Sequence, residues 1–362
     1  QTSWAKQRLS GWVSARMSSV EGGIRVTVAP LEGMIPWSAR IPLIQVEDSE
    51  GVCGRVEGLS VSCAPLEALR GRFHVYDVHA ESVYVARVPK RAASAPSCGP
   101  SPAKALDIMS RLRVDRLQVS NVTIADARAG LNTDFAVEAQ SSYSDEAGEV
   151  RTSVRVTPLG GPATTASVEA ALKPDFSSLQ LKADYVEEAG GLAARALRIQ
   201  SGEPVSVSLS GDGSLVDWHG KVLARGGLGG RVGAALTLKR EGGIELSADG
   251  IVSVPEGLVP TVAGQWLDAE NKFRIVFAAE SLKKISLRDV GVESEKARLS
   301  AEGDVDLESL SVAARCRVSV RDIGLVEKVT GFSCGLPFGA KGVVSGPLFH
   351  PHISADASIS EA

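Results

Sequence analysis

The chain has 362 residues, a formal net charge of −4 and 37 glycines, with 44% hydrophobic but only 5% aromatic residues. A single compact core rarely grows to this length, so we expect either several globular domains or one extended, repetitive body. No basic stripe with interleaved aromatic residues is present, and nucleic-acid binding is therefore not expected. Abundant glycine and few aromatic residues favour many strands and turns over large helical cores.

Residues 1–20 have the spacing of an amphipathic helix. Their large apolar side chains recur mostly every three to five positions, at Trp4, Leu9, Trp12, Val13 and Met17. Such a helix suits either a membrane interface or a cap on the first strands, and both interpretations stay open. No run of about 18 apolar residues exists, so no transmembrane helix is predicted within the chain. Because the first residue is Gln and no signal peptide is visible, we expect an anchor or signal sequence to precede it in a longer protein.

From residue 21 the apolar residues recur at every second position. This period predicts strands with one buried and one wet face. In the N-terminal β region, residues 21–88, alternating runs begin at Ile24, Ile41, Leu59, Phe73 and Val83. Closely spaced Pro and Ser then interrupt the pattern, which predicts a flexible linker at residues 89–104.

Alternation resumes in residues 105–362, a repetitive β region that we expect to be truncated at its C-terminal end. Its longest run extends from Leu310 to Val320, and short helices are predicted at 256–269 and 322–331. Dense strands, sparse helices and a polar turn every ten or so residues favour an all-β fold. A sandwich, a barrel and a β-solenoid all fit this pattern.

The sequence offers no catalytic or metal-binding motif. A nucleophile elbow, a Walker loop and a zinc-protease helix are all missing, so we predict no catalytic residue, no metal site, no cofactor and no enzyme activity. The five cysteines form no CxxC pair. Cys53 with Cys63, and Cys316 with Cys334, are close enough to pair in an oxidising compartment, although we favour small buried apolar residues. Cys98, in the linker, is then the expected free thiol.

Two stretches carry a family resemblance. The first runs Asp48-x-x-Gly51-x-x-Gly54-x-Val56-x-Gly58-Leu59-x-Val61 and ends at Arg87-x-Pro89. It resembles the N-terminal β-rich region of TamB-like translocation and assembly proteins, in which a D-x-x-G turn precedes the strands and Arg-x-Pro follows the last one. The second, Asp322-Ile-Gly-Leu325 to Gly346-Pro-Leu-x-x-Pro351-x-Ile353, resembles a repeat of TamB and AsmA-like proteins. Cys53 and Cys63 depart from the family, because a large apolar residue is expected at each.

The resemblance implies an elongated, curled, antiparallel-rich sheet, a β-taco with a few short helices, whose apolar face lines a continuous groove. It also implies a periplasmic protein of a Gram-negative bacterium that is anchored to the inner membrane by a segment before this chain. Such a protein moves phospholipid between the inner and outer membranes and supports outer-membrane biogenesis. Phospholipid acyl chains are the implied ligands. A TamA- or BamA-like outer-membrane barrel is the implied partner, through regions outside this chain.

The predicted groove residues alternate along two runs: Val205, Val207, Leu209, Val312, Ala314, Val318 and Val320. An apolar sheet face must be covered by a second layer or by a ligand, and a dry two-sheet sandwich is the alternative to a lipid groove. Two other functions stay open. One is a periplasmic scaffold or chaperone for outer-membrane protein assembly or autotransporter secretion, and the other is a repetitive adhesin.

Overall fold

The computed structural model is built almost entirely of β-strands, and the all-β, antiparallel-rich sheet predicted from the sequence is confirmed. Contacts between residues divide the chain into two compact units, residues 1–175 and 176–362. The structure describes residues 7–8, 10–12, 14–15, 18, 23–68, 73–87, 112–126, 131–144, 147–191, 193–194, 202–226, 229–240, 243–255, 266–281, 284–307, 309–322, 324, 338–347 and 352–359. The predicted linker at 89–104 and most of the two short helices predicted at 256–269 and 322–331 lie outside these ranges.

Nine strands form the sheet of the first unit: β1 (Arg25–Val28), β2 (Ser38–Asp48), β3 (Gly51–Cys63), β4 (Phe73–Val85), β5 (Leu112–Val114), β6 (Leu117–Asp126), β7 (Leu131–Ser144), β8 (Glu149–Pro158) and β9 (Thr164–Leu172). Strands β1 to β4 pair antiparallel in sequence order. Strand β4 then pairs parallel with β5 and β6, and antiparallel pairing continues from β6 to β9. One helical turn, Pro65–Ala68, precedes β4.

The parallel step in the first unit joins segments with the same five-residue spacing. Apolar pairs two positions apart recur every five residues in β4 and in β5–β6: Phe73 and Val75, Val78 and Ala80, Val83 and Val85; Leu112 and Val114, Leu117 and Val119, Val122 and Ile124. The register aligns each pair with its counterpart. In a regular strand, residues five positions apart point to opposite sides of the sheet. Two strands with this period therefore keep their apolar pairs side by side only when the irregularities that reverse the sides occur at the same positions in both.

Serine side chains cover the open edge of β1. Residues 7–8, 10–12 and 14–15 are helical, and Ser14 and Ser18 follow each other at a spacing of four. The Val28 amide donates to Ser14 Oγ at 3.0 Å and the Val26 amide donates to Ser18 Oγ at 2.9 Å. These amides point away from β2, so the serines satisfy edge groups that would otherwise be free to pair with another strand.

A buried ion pair closes the β2–β3 turn onto the end of β4. The side chain of Asp48 is fully buried, and both guanidinium Nη atoms of Arg87 donate to its carboxylate, Nη2 at 2.5 Å. The Glu50 amide donates to Asp48 Oδ1 at 2.8 Å, and Gly51 follows with φ of 104°. The Asp48 hydrogen bond raises the pKa of Arg87. The D-x-x-G turn and the arginine of Arg-x-Pro are therefore one structural unit.

His74 ties β4 to its surroundings through two carboxylates. Its ring nitrogens lie 3.3 Å from Glu67 Oε1 in the helical turn and 2.8 Å from Asp115 Oδ2, between β5 and β6. Burial alone would raise the pKa of Asp115. The hydrogen bonds from His74 and Arg113 outweigh it, however, and the pKa is lowered.

Eleven strands form the sheet of the second unit: β10 (Leu179–Glu187), β11 (Val205–Gly213), β12 (Asp217–Gly226), β13 (Gly230–Lys239), β14 (Ile244–Ser253), β15 (Asn271–Ser281), β16 (Lys284–Glu293), β17 (Ala297–Asp306), β18 (Ser311–Val320), β19 (Phe338–Pro347) and β20 (His352–Ile359). Each pairs antiparallel with the next, a simple meander. Register shifts mark the strand pairs on either side of β16.

The described cysteines are unpaired. Cys53, Cys63 and Cys316 are free thiols, so Cys53 and Cys63 do not form a disulfide. Burial raises the pKa of Cys53, which fits a small apolar role better than a reactive one. Cys98 and Cys334 lie outside the described residues.

Candidate functional site

The register of the second unit places its alternating apolar residues on a single face. Val318 lies opposite Leu299 of β17 and Ala340 of β19, and the same relation continues from strand to strand. In antiparallel sheets, directly opposed residues point to the same side. We call this side of β10–β20 the apolar face and the opposite side the polar face.

All seven predicted groove residues lie on the apolar face. Val205, Val207 and Leu209 come from β11, and the remaining four, Val312, Ala314, Val318 and Val320, come from β18. The alternation had placed each set on one side of its own strand. Only the register shows that the two sets share a side.

The other strands add more to this face than the two runs chosen from the sequence. Members that the prediction left out include Leu181, Val222, Val232, Leu236, Leu246, Phe273, Ile275, Phe277, Leu287, Val290, Val292, Leu299, Val305 and Val344. The same period of two marks most of them in the sequence. β16 is the exception, because Leu287 and Val290 differ in parity and a register shift between them keeps both on this face.

The apolar face is only partly covered. Val205 and Val320 are buried, yet Leu299 is 45% exposed and Ile244 is 40% exposed. Among the described elements of this unit, extensive contacts join each strand only to its neighbours in sequence. The described strands therefore do not form the dry two-sheet sandwich considered from the sequence, and the face stays open to a ligand or to segments outside the described ranges.

Trp218 lies flat on the apolar face over two glycines. A Cβ atom at Gly211 would come within 2.2 Å of the indole, and one at Gly220 within 2.3 Å. The two glycines lie directly opposite each other across β11 and β12. Missing side chains thus make the space in which the ring packs, and the indole Nε1 is buried there without a hydrogen-bond partner.

Glu187 is the one charged side chain among the described strand residues of the apolar face, and both of its carboxylate oxygens accept hydrogen bonds. The carboxylate is completely buried and accepts hydrogen bonds from the Ala193 amide at 2.9 Å and the Ala194 amide at 2.8 Å. The Tyr185 hydroxyl also donates to it. Burial and this hydrogen bond raise the pKa of Tyr185 to about 12.

Within the described ranges, no group of three or more His, Cys, Asp or Glu side chains could hold a metal ion. None of the helical segments within the described ranges could span a lipid bilayer. The most extended surface feature of the second unit is its apolar face.

The fold and this face define an all-β protein with a broad apolar sheet surface. No protein-family model, curated protein or solved structure matches the chain. The resemblance to TamB-like proteins therefore stays a prediction.

Proposed function

We propose that the chain is a non-enzymatic, lipid-handling protein whose apolar face shelters phospholipid acyl chains. The observation that carries this proposal is an apolar face spanning eleven strands, on which Leu299 and Ile244 stay 45% and 40% exposed. Apolar surface is unfavourable in water, and each methylene group that leaves water contributes about 0.8 kcal/mol. An acyl chain is a row of methylene groups without hydrogen-bonding groups, so it matches this face.

Side-chain size also favours an acyl chain. Across β17 to β19, small residues lie side by side on the apolar face, with Gly303 opposite Ala314 and Cys316 opposite Gly342. Small side chains leave room above the sheet, whereas a row of large aromatic residues would fill it. The polar face carries alternating acids and bases that stay in water.

The proposed setting is the envelope of a Gram-negative bacterium. There the protein would carry phospholipid between the inner and outer membranes, from the periplasm, and so support outer-membrane biogenesis. This setting rests on the resemblance of the Asp48–Val61 and Asp322–Ile353 stretches to TamB-like and AsmA-like proteins.

Two isoleucines of one strand give a matched test. Ile244 lies on the apolar face, whereas Ile251, 47% exposed, lies on the polar face of the same strand β14. The full chain is purified from a Gram-negative host, and bound lipid is measured by native mass spectrometry and extraction. We expect phospholipid on the wild type and on Ile251→Asp, and at least roughly tenfold less on Ile244→Asp, because an acid there meets acyl chains.

Wild-type protein without lipid, or equal lipid on both variants, would reject the proposal. Circular dichroism and thermal melts show whether each variant is folded. A folded wild type that carries no lipid but crosslinks to unfolded outer-membrane polypeptide through an edge strand would instead support the scaffold function.

A further inference from the structure

The polar face of the second unit has a cavity of its own. Its volume is about 450 Å³, and polar-face side chains of β16 to β20 line most of it. Five of the lining residues are basic and three are acidic: Arg288, Arg298, Arg315, Arg317 and Lys341, against Asp289, Glu302 and Asp356. The cavity therefore carries an excess of two positive charges in a chain whose net charge is −4.

Three of these cations lie in neighbouring positions of β18 and β19 and form a cluster. Arg317 lies directly opposite Lys341 across β18 and β19, and Arg315 lies two positions away on the same face. Like charges in directly opposed positions destabilise a sheet. Within the described ranges, none of the three side chains makes a hydrogen bond or an ion pair, although Glu302 lies opposite Arg315 and Asp356 opposite Lys341.

Other cations of the same face are arranged in two ways. Arg274 lies 3.6 Å from Asp249 and 3.3 Å from Asp289, and Arg288 lies 3.0 Å from Glu245. Arg225 and Arg231, in contrast, lie directly opposite each other across β12 and β13 and make no ion pair with a described residue. What distinguishes the cluster of Arg315, Arg317 and Lys341 from that pair is the cavity that its side chains line.

We infer that this cluster binds the phosphate group of an anionic ligand. A guanidinium presents paired N–H donors that match two phosphate oxygens, and the lysine adds a third donor from the neighbouring strand. A bound phosphate would also neutralise the repulsion between Arg317 and Lys341. The phosphate is carried by a soluble molecule or by a lipid headgroup. The site lies on the face opposite the proposed acyl-chain surface and does not depend on it.

The test compares two double variants of the full chain with equal loss of charge. Arg317→Gln with Lys341→Gln removes two of the three cations of the cluster, and Arg225→Gln with Arg231→Gln removes a directly opposed pair of cations of the same face outside this cavity. Pyrophosphate binding is measured by calorimetry at low salt, and flotation measures binding to vesicles with and without phosphatidylglycerol. We expect the cluster variant to bind at least roughly tenfold more weakly, because charge-assisted hydrogen bonds are lost. The control variant should bind as the wild type does.

The outcomes separate clearly. Pyrophosphate binding that the cluster variant loses supports the site with a soluble ligand. Binding only to phosphatidylglycerol vesicles, lost in the same variant, supports it with a headgroup. No binding by the wild type in either assay, or equal loss in both variants, overturns the inference.

Without phosphate, the cluster variant should melt at the same temperature as the wild type or higher, since a like-charge pair is gone. A clearly lower melting temperature would indicate a structural role instead. Lipid retention by the Ile244→Asp and Ile251→Asp variants tests the apolar face separately.

Discussion

Single side chains decide how closely the strands and rings of the apolar face approach one another. Trp218 packs flat because Gly211 and Gly220 leave its indole free space, and a Cβ atom at either glycine would overlap it. The atoms in the way include the backbone oxygens His219 O at 2.4 Å and Ser210 O at 3.0 Å, which cannot move aside as a flexible side chain can.

Replacement of Gly211 by Ala should therefore destabilise the second unit. We expect a loss of about 1–3 kcal/mol in the free energy of unfolding, together with a changed Trp218 environment, because the ring must leave its position. Urea denaturation followed by tryptophan fluorescence measures both. Gly202→Ala is the control, since its Cβ would meet no atom within 4 Å. Equal effects of the two substitutions would contradict this account of the packing.

Tyr185 and Glu187 make stability depend on alkaline pH. The pKa of Tyr185 is raised from 10.0 to about 12 in the folded protein, so its contribution is fully present below the unfolded pKa and is lost as the pH rises through the folded pKa. Relative to Tyr185→Phe, the wild type should be more stable by a constant amount below pH 10.0, and the difference should vanish near pH 12.

Denaturation of both proteins across this pH range measures the difference directly. Tyr143→Phe, at a 41% exposed tyrosine, is the control for general alkaline effects. A difference that persists unchanged to the highest pH would mean that the hydroxyl contributes by packing rather than by its proton.

Individual strands are stabilised by contacts at their edges as well as by their neighbours. β1 pairs with β2 on one side, and serine hydroxyls meet its amides on the other. An uncovered edge would expose a row of donors and acceptors to other chains. The N-terminal helical residues thus contribute polar contacts to the sheet, and the exposed Trp12 points elsewhere. The serine contacts fit the cap interpretation, whereas Trp4, Leu9, Val13 and Met17 of the predicted apolar side lie outside the described residues.

Substitution of Ser14 and Ser18 by Ala should open this edge. Each hydrogen bond contributes about 1 kcal/mol, and the Val26 and Val28 amides lose their acceptors. Hydrogen–deuterium exchange should speed up at these two amides. The Ala29 amide, which donates to Leu43 O at 2.8 Å on the β2 side, is the internal control. Unchanged exchange at Val26 and Val28 would show that the serines do not protect the edge.

At the level of the whole chain, the second unit leaves an extended apolar surface partly open. A surface of this kind binds hydrophobic probes, and a ligand that covers it stabilises the folded state by mass action. Its continuity comes from eleven strands in register rather than from any single residue.

Long-chain phospholipid should therefore displace a hydrophobic dye such as ANS from the full chain and raise its melting temperature. The expected cause is burial of acyl methylene groups, so the headgroup alone, added as glycerophosphate, should leave dye binding unchanged. Fluorescence titration and thermal melts provide the measurements. Dye that is bound but not displaced by long-chain lipid would place the dye-binding apolar area somewhere other than the proposed lipid-binding face.

The strand-rich fold class and the apolar side of most strands could be predicted from the sequence, because a period of two is a local property of the chain. Val205 to Leu209 and Val312 to Val320 could be chosen as face residues for that reason. Which strands lie side by side, and whether their apolar sides agree, depends on register, turns and bulges, so only the tertiary structure joined the two runs. The same holds for the Asp48–Arg87 ion pair and for the cation cluster around Arg317. Both bring together side chains from different strands, and no local pattern encodes such proximity.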